Sequence, residues 1–158
     1  MRQTIIYTTL LFILLSKRSQ AQSPNIIVII ADDMGWNQVS SDKTTLLNGS
    51  SYESDFYETP FIDRLAAEGM LFTHSYAAAA ICSPSRAALM TGMHTLRTGV
   101  ENFNGLDLKY QTLPQALHDA GYQTWMCGKW HLGGAKENSH PEPEYLPTNR
   151  GFDHHYGL

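Results

Sequence analysis

Residues Asn25 to Ala31 form a continuous apolar run rich in β-branched side chains, with no polar alternation. A run of this kind predicts a central strand covered on both faces, as in the parallel sheets of α/β domains. Met70 to Ala77 predicts a second strand and Tyr122 to Cys127 a third. Between them the pattern changes to helical signals with clear punctuation. Thr59 can cap a helix, Pro60 suits its first position and Gly69 ends it, with Phe61, Ile62 and Leu65 as the expected buried face. A second helix opens near Pro84, runs through Ala87, Ala88, Leu89 and Met90, and has Gly92 as a natural C-cap. Thr112 to Gly121 repeats the capped, glycine-stopped design. Polar stretches at 37–58, 97–110 and 134–158 read as loops, the first with a short helical turn at Leu46-Leu47. Strands alternating with helices predict an α/β fold around a largely parallel sheet.

Composition narrows this picture. The 158 residues are 42% hydrophobic and 16% charged, as expected of one ordinary globular unit. A net charge of −4 leaves no basic stripe, which argues against a nucleic-acid partner. Residues 1–21 are set apart from the fold. Arg2 gives a positive start, Ile5 to Leu15 an apolar stretch, and Ser19-Gln20-Ala21 a small-x-small cleavage site. That is the pattern of a secretory signal peptide, and the stretch is too short to span a bilayer comfortably. Residues 22–158 form the remaining unit, and Asn48-Gly49-Ser50 is a glycosylation sequon that fits secretion. Two cysteines in a secreted chain suggest by default one disulfide, Cys82 to Cys127.

Candidate chemistry gathers where the predicted strands end. Asp32 and Asp33 follow the first strand, and ligands of α/β sheets bind beyond the carboxyl ends of strands. Such hard oxygens suit Ca²⁺ or Mg²⁺, although the same pair also starts turns. Cys82 lies at or just before a helix N-terminus, where free N–H groups and the helix dipole favour an anion. Arg86, one turn on, adds positive charge there. A lone cysteine at such a junction is by itself more often a buried thiol. Lys129 and His131 sit in the glycine-bounded turn after the third strand. Parallel strands would place all three sets on one rim. Of the seven histidines, His74, His154 and His155 read as structural or non-ligating.

Cys82-Ser83-Pro84-Ser85-Arg86, with Leu89-Met90-Thr91-Gly92 behind it, resembles the signature of the formylglycine-dependent (type I) sulfatases. Gly128-Lys129-Trp130-His131-Leu132-Gly133 is a second match, and Asp32-Asp33 a third. Tyr145 to Gly157 is similar to a segment of arylsulfatases, most closely those of the arylsulfatase B branch. The resemblance covers Asn25 to the last residue. It implies an alkaline-phosphatase-like fold, with helices on both faces of a central sheet that is incomplete in this chain.

The resemblance also implies the chemistry. Cys82 would be converted by a formylglycine-generating enzyme to an aldehyde, whose hydrate attacks sulfur and later expels sulfate. Cys82 would thus be nucleophile and metal ligand, and Cys127 a buried free thiol rather than its disulfide partner. Asp32 and Asp33 would ligate Ca²⁺, or Mg²⁺. Arg86 would stabilise charge, Lys129 would bind the sulfate and His131 would assist proton transfer. The substrate would be a sulfated small molecule or a glycosaminoglycan, met in the lysosome or outside the cell. Sulfatases of this kind run to several hundred residues with further metal ligands, so this chain is expected to be an N-terminal part of one. A phosphatase or phosphodiesterase on the same sheet, or a non-catalytic secreted fragment, are the alternatives.

Overall fold

The computed structural model of the chain describes residues 23–40, 56–101, 105–134 and 142–157. The leader, the sequon at Asn48 and the Leu46-Leu47 turn lie outside them. The chain divides into two units, residues 1–31 and 32–158.

In the first unit, residues 23–31 enter no helix and no ladder. Ile27 and Ile29 are 82% and 81% exposed, so the expected two-sided burial of this strand is not found. The β-branched pattern encodes a preference for covered, extended backbone. It does not supply the neighbouring strands that covering requires.

The second unit holds the regular elements. Helix α1 is Pro60–Glu68, with proline in its first turn. Thr59 does not cap it with its side chain. Its hydroxyl instead joins Ser40 in binding the carboxylate of Asp63. The expected buried face of α1 is exposed, with Phe61 at 79% and Leu65 at 66%. Residues 70–77 hold one turn, at Thr73-His74, and no part of the expected strand, and Met70, Leu71 and Phe72 are exposed as well.

Helix α2, Cys82–Thr91, begins at the cysteine itself and ends on Gly92, whose N–H returns to the Ala88 carbonyl at φ +65°. A single turn, α3 (Thr95–Thr98), follows and overlaps the start of the stretch expected to be loop. Helix α4 is Leu113–Asp119. The Thr112 hydroxyl accepts from the Gln115 N–H while the Gln115 side chain returns to the Thr112 N–H, a reciprocal cap. Strand β1, Trp125–Cys127, is the C-terminal half of the expected third strand. It pairs in parallel with β2, His154–Tyr156, in the register Trp125 to His154 and Cys127 to Tyr156. Residues 134–158 are therefore more than the loop expected, since besides β2 they carry 3-10 turns at Pro143–Tyr145 and Pro147–Arg150. A strand of three residues is too short to leave a periodic signal.

A small core ties these pieces together. Ala87 of α2 meets Val100, Leu106, Trp130 and Leu132, with Met90, Met126 and Phe152 packed around them. The ring of Phe152 stands edge-on to Trp130 at 6.0 Å. Gly151, at φ +98°, lies so close to the Gln115 backbone that any Cβ there would collide with it.

Candidate active site

Three segments meet at the N-terminus of α2. Asp32 comes from the turn after the apolar run, Cys82, Ser83 and Arg86 from α2, and Lys129 to Leu132 from the turn that leaves β1. Arg86 is nearly buried because the helix carries it inward beside Ala87. Its Nη2 donates to Asp32 Oδ1 at 2.9 Å, and its Nη1 donates to the carbonyl of Lys129. Lys129 Nζ donates to the other carboxylate oxygen, Oδ2, at 2.6 Å. One carboxylate thus holds two cations on separate oxygens.

The turn itself is pinned along its backbone. Ser83, fully buried, donates its hydroxyl to the His131 carbonyl at 3.0 Å. The Leu132 carbonyl accepts from the Leu106 N–H at 3.2 Å. The indole N–H of Trp130 donates to the Tyr145 carbonyl at 2.9 Å, so the residue between Lys129 and His131 is an anchor. His131 takes φ 58° and Asp33 φ 56°, both in the left-handed region that side-chain-bearing residues enter at a cost. On the other flank, Ser85 exchanges hydrogen bonds with the backbone of Ala79 at 2.6 and 3.1 Å and fixes the approach to α2.

These contacts set the charge states. Hydrogen bonds from Lys129 and then Arg86 hold the Asp32 carboxyl below its ordinary range. The bond to Asp32 likewise holds Lys129 above its ordinary value, with the charges of Asp32 and Cys82 adding to it. Burial, and then the nearby Lys129 and Arg86, push His131 below its ordinary value. Cys82 is half-buried and in no disulfide, so the default pairing with Cys127 is not formed. Cys127 is also free but exposed, on the same face of the sheet as Trp125, so its expected burial is corrected.

Asp32, Arg86 and Lys129 are therefore in direct contact, and His131 is joined to α2 through Ser83. Asp33, exposed, makes no hydrogen bond or ion pair with the described residues. The convergence expected on a rim of three strands arises instead from one helix end and two turns. Ser83 was legible only as a motif position; its bond to a residue 48 positions away has no local signal. His74 bonds the neighbouring Thr73, and His154 stacks on Trp125 with ring centroids 4.0 Å apart. Among the described residues no group of three or more His, Cys, Asp or Glu side chains is arranged to hold a metal ion.

The end of α2 thus brings the Cys82 thiol together with Arg86, Lys129 and the turn that carries His131. The comparisons give the family. The Sulfatase family model matches residues 24–158, and the chain belongs to the sulfatase family. It is 43% identical over 149 residues to arylsulfatase G of Canis lupus familiaris, covering 90% of this chain and 25% of that protein. It also matches a solved structure from work on the metabolism of multiple glycosaminoglycans by Bacteroides thetaiotaomicron, with TM-score 0.67 and 35% identity over 87% of this chain and 28% of that one. A phosphonate monoester hydrolase of Agrobacterium radiobacter matches at TM-score 0.53 and 27% identity, over 76% of this chain and 25% of that one. The short parallel sheet and its helices are thus part of the α/β architecture of sulfatases and alkaline-phosphatase-like enzymes. The chain spans about a quarter of the length of the curated relatives it matches.

Proposed function

We propose that this chain carries the nucleophile end of a sulfuric ester hydrolase and that Cys82 is the residue converted to formylglycine. The observation that carries the reading is the convergence of Lys129, Arg86 and Asp32 on the helix end where Cys82 stands. Formylglycine at this position supplies an electrophilic carbon whose hydrate is the attacking group. The chain's own residues do the rest. Lys129, exposed and raised in pKa, binds a sulfate oxygen as a point charge. Arg86 stabilises negative charge that grows on the sulfate while keeping its hold on the Lys129 carbonyl. His131, backbone-pinned, would take the proton that the second hydroxyl loses as sulfate is expelled.

A divalent cation would find carboxylate donors at the same position, although the described residues form no arranged group of three to hold it. Asp32 and Asp33 offer hard carboxylate oxygens, and Asp32 already draws positive charge to each of its two oxygens. Together with the residue at Cys82 they would hold Ca²⁺ or Mg²⁺, which would polarise the sulfate. They would contribute part of the about six to eight oxygens that Ca²⁺ takes.

The substrate we assign is a sulfated carbohydrate of the glycosaminoglycan type. N-acetylgalactosamine-6-sulfatase of Sus scrofa is 39% identical over 150 residues, and the solved glycosaminoglycan-locus structure points the same way. The chain would enter the secretory pathway, where the converting enzyme resides, and act in the lysosome or outside the cell. No helix among the described residues is long and apolar enough to cross a membrane.

Expression through a eukaryotic secretory pathway and mass spectrometry of the Cys82 peptide test the reading. The peptide is expected to lack its sulfur and to react with a hydrazide probe. An unmodified thiol after secretion would remove the nucleophile from this proposal. The likeness to a phosphonate monoester hydrolase supports a second reading, hydrolysis of a phosphorus ester. Paired assays with 4-nitrophenyl sulfate and phenyl phosphonate esters separate the two, and faster turnover of the phosphonate would favour the second.

A further inference from the structure

Two side chains on one face of α2 grip the turn that carries Lys129 and His131. Ser83 and Arg86 stand three residues apart, which puts them on the same side of the helix. Arg86 Nη1 donates to the Lys129 carbonyl, and the Ser83 hydroxyl donates to the His131 carbonyl at 3.0 Å. Between these two points the Trp130 indole N–H donates to the Tyr145 carbonyl at 2.9 Å. A serine in the first turn of a helix ordinarily turns its hydroxyl to nearby backbone. Ser83 does not: it is fully buried and reaches a residue 48 positions away. Its target is the residue in the turn that most needs holding. His131 has φ 58°, in the left-handed region that disfavours any residue with a side chain, and a turn left to itself relaxes out of it. The directions open to a side chain follow from the backbone conformation beneath it. In the conformation held here the imidazole lies within the field of Lys129, Arg86 and Asp32.

We propose that Ser83 is a positioning residue for His131. Its hydroxyl holds the His131 carbonyl, keeps that residue left-handed, and so aims the imidazole at the end of α2 where Cys82 stands. Ser83 acts through the backbone of His131 and needs no contact with the substrate. The second residue of the cysteine motif thereby ties the helix of the nucleophile to the turn of the proton acceptor. The inference rests on the reading of His131 as the group that takes a proton at this site.

The test compares wild type, Ser83→Ala and Ser83→Thr as the full chain secreted from eukaryotic cells. Two readouts are taken, turnover of 4-nitrophenyl sulfate and the NMR ring signals of isotope-labelled histidines. Ser83→Ala removes the hydroxyl with little change of volume. It should lower kcat by about tenfold and leave KM within about twofold, because Lys129 still binds the sulfate while proton transfer loses its alignment. Ser83→Thr keeps the donor and should return most of the lost kcat. The His131 ring signal, identified by its loss in His131→Gln, should move in Ser83→Ala and stay in place in Ser83→Thr. His118, on α4, should keep its signal in both variants. A His131 signal unmoved in Ser83→Ala would overturn the proposal, as would a rise in KM with kcat unchanged. Displacement of the His118 signal along with that of His131 would reveal general loss of structure and overturn a role confined to the turn. Absence of turnover in the wild type, with the His131 signal displaced in Ser83→Ala alone, would overturn the hydrolase reading of this chain and leave the hold of Ser83 on His131 standing.

Discussion

Residues 105–157 and residues 56–77 are built from similar material and finish differently. Each has a helix opened by threonine and proline and stopped near glycine, followed by a segment with strand-like composition. Among the described residues of 105–157, several inward-turned polar side chains bond carbonyls of the same segment. Thr112 donates to the Arg150 carbonyl at 2.7 Å, and Thr124 donates to the Gly151 carbonyl at 2.6 Å. Arg150, 2% exposed, donates to the carbonyls of Tyr110 and Asp107 at 3.0 and 3.4 Å. In 56–77 the apolar residues Phe61, Leu65, Met70 and Phe72 stand in water. A hydrophobic pattern states what a segment gains by being covered. Only directional bonds between its own parts state what covers it.

The largest expected break in that contrast is Arg150→Ala. It leaves the carbonyls of Tyr110 and Asp107 without this donor and opens a cavity where the buried side chain lay, at a cost of about 3 kcal/mol. Urea denaturation should show the midpoint fall by the corresponding amount with the slope unchanged. Next comes Thr112→Val, which removes the α4 cap and the bond to Arg150 and should cost about 1–2 kcal/mol by the same measurement. A third, smaller effect is set by pH. Hydrogen bonds from Thr124, first its N–H and then its hydroxyl, hold the Asp153 carboxyl below its ordinary range. The unfolded chain then binds the proton more readily, so this contribution is present above the ordinary carboxylate pKa and is lost as pH falls through the lower folded value. Asp153→Asn should flatten that acid limb in a series of thermal melts. The smallest effect is expected on the other side of the comparison. Leu65→Ser, on the exposed face of α1, should change stability by less than about 0.5 kcal/mol while raising solubility. A loss comparable to that of Arg150→Ala would show that this face is covered after all.

What was legible in the residues follows the same division. The helices α1, α2 and α4 announce themselves through Pro60, Pro84, Gly92 and the Thr112–Gln115 cap, because helix signals are local. The strands do not. Residues 25–31 and 70–77 have the right composition without a ladder, and β2 has a ladder without a visible pattern, since pairing is decided by a distant partner. At the site, Asp32, Cys82, Arg86, Lys129 and His131 could be singled out because each sits at an element boundary and matches a family motif. That Arg86 would grip the Lys129 carbonyl, and Ser83 that of His131, depends on how α2 packs against the turn, which no spacing records.

The left-handed backbone at Asp33 and His131 has a consequence for how this chain would respond to selection. Each conformation costs a residue with a side chain on the order of 1 kcal/mol, and glycine or asparagine would occupy it more comfortably. A library sorted for heat resistance alone is therefore expected to drift toward those residues at 33 and 131, discarding a carboxylate and an imidazole. A library sorted for turnover is expected to hold both and accept the lower melting point. On the proposed roles of Asp33 and His131, robustness and chemistry would pull the chain in opposite directions there.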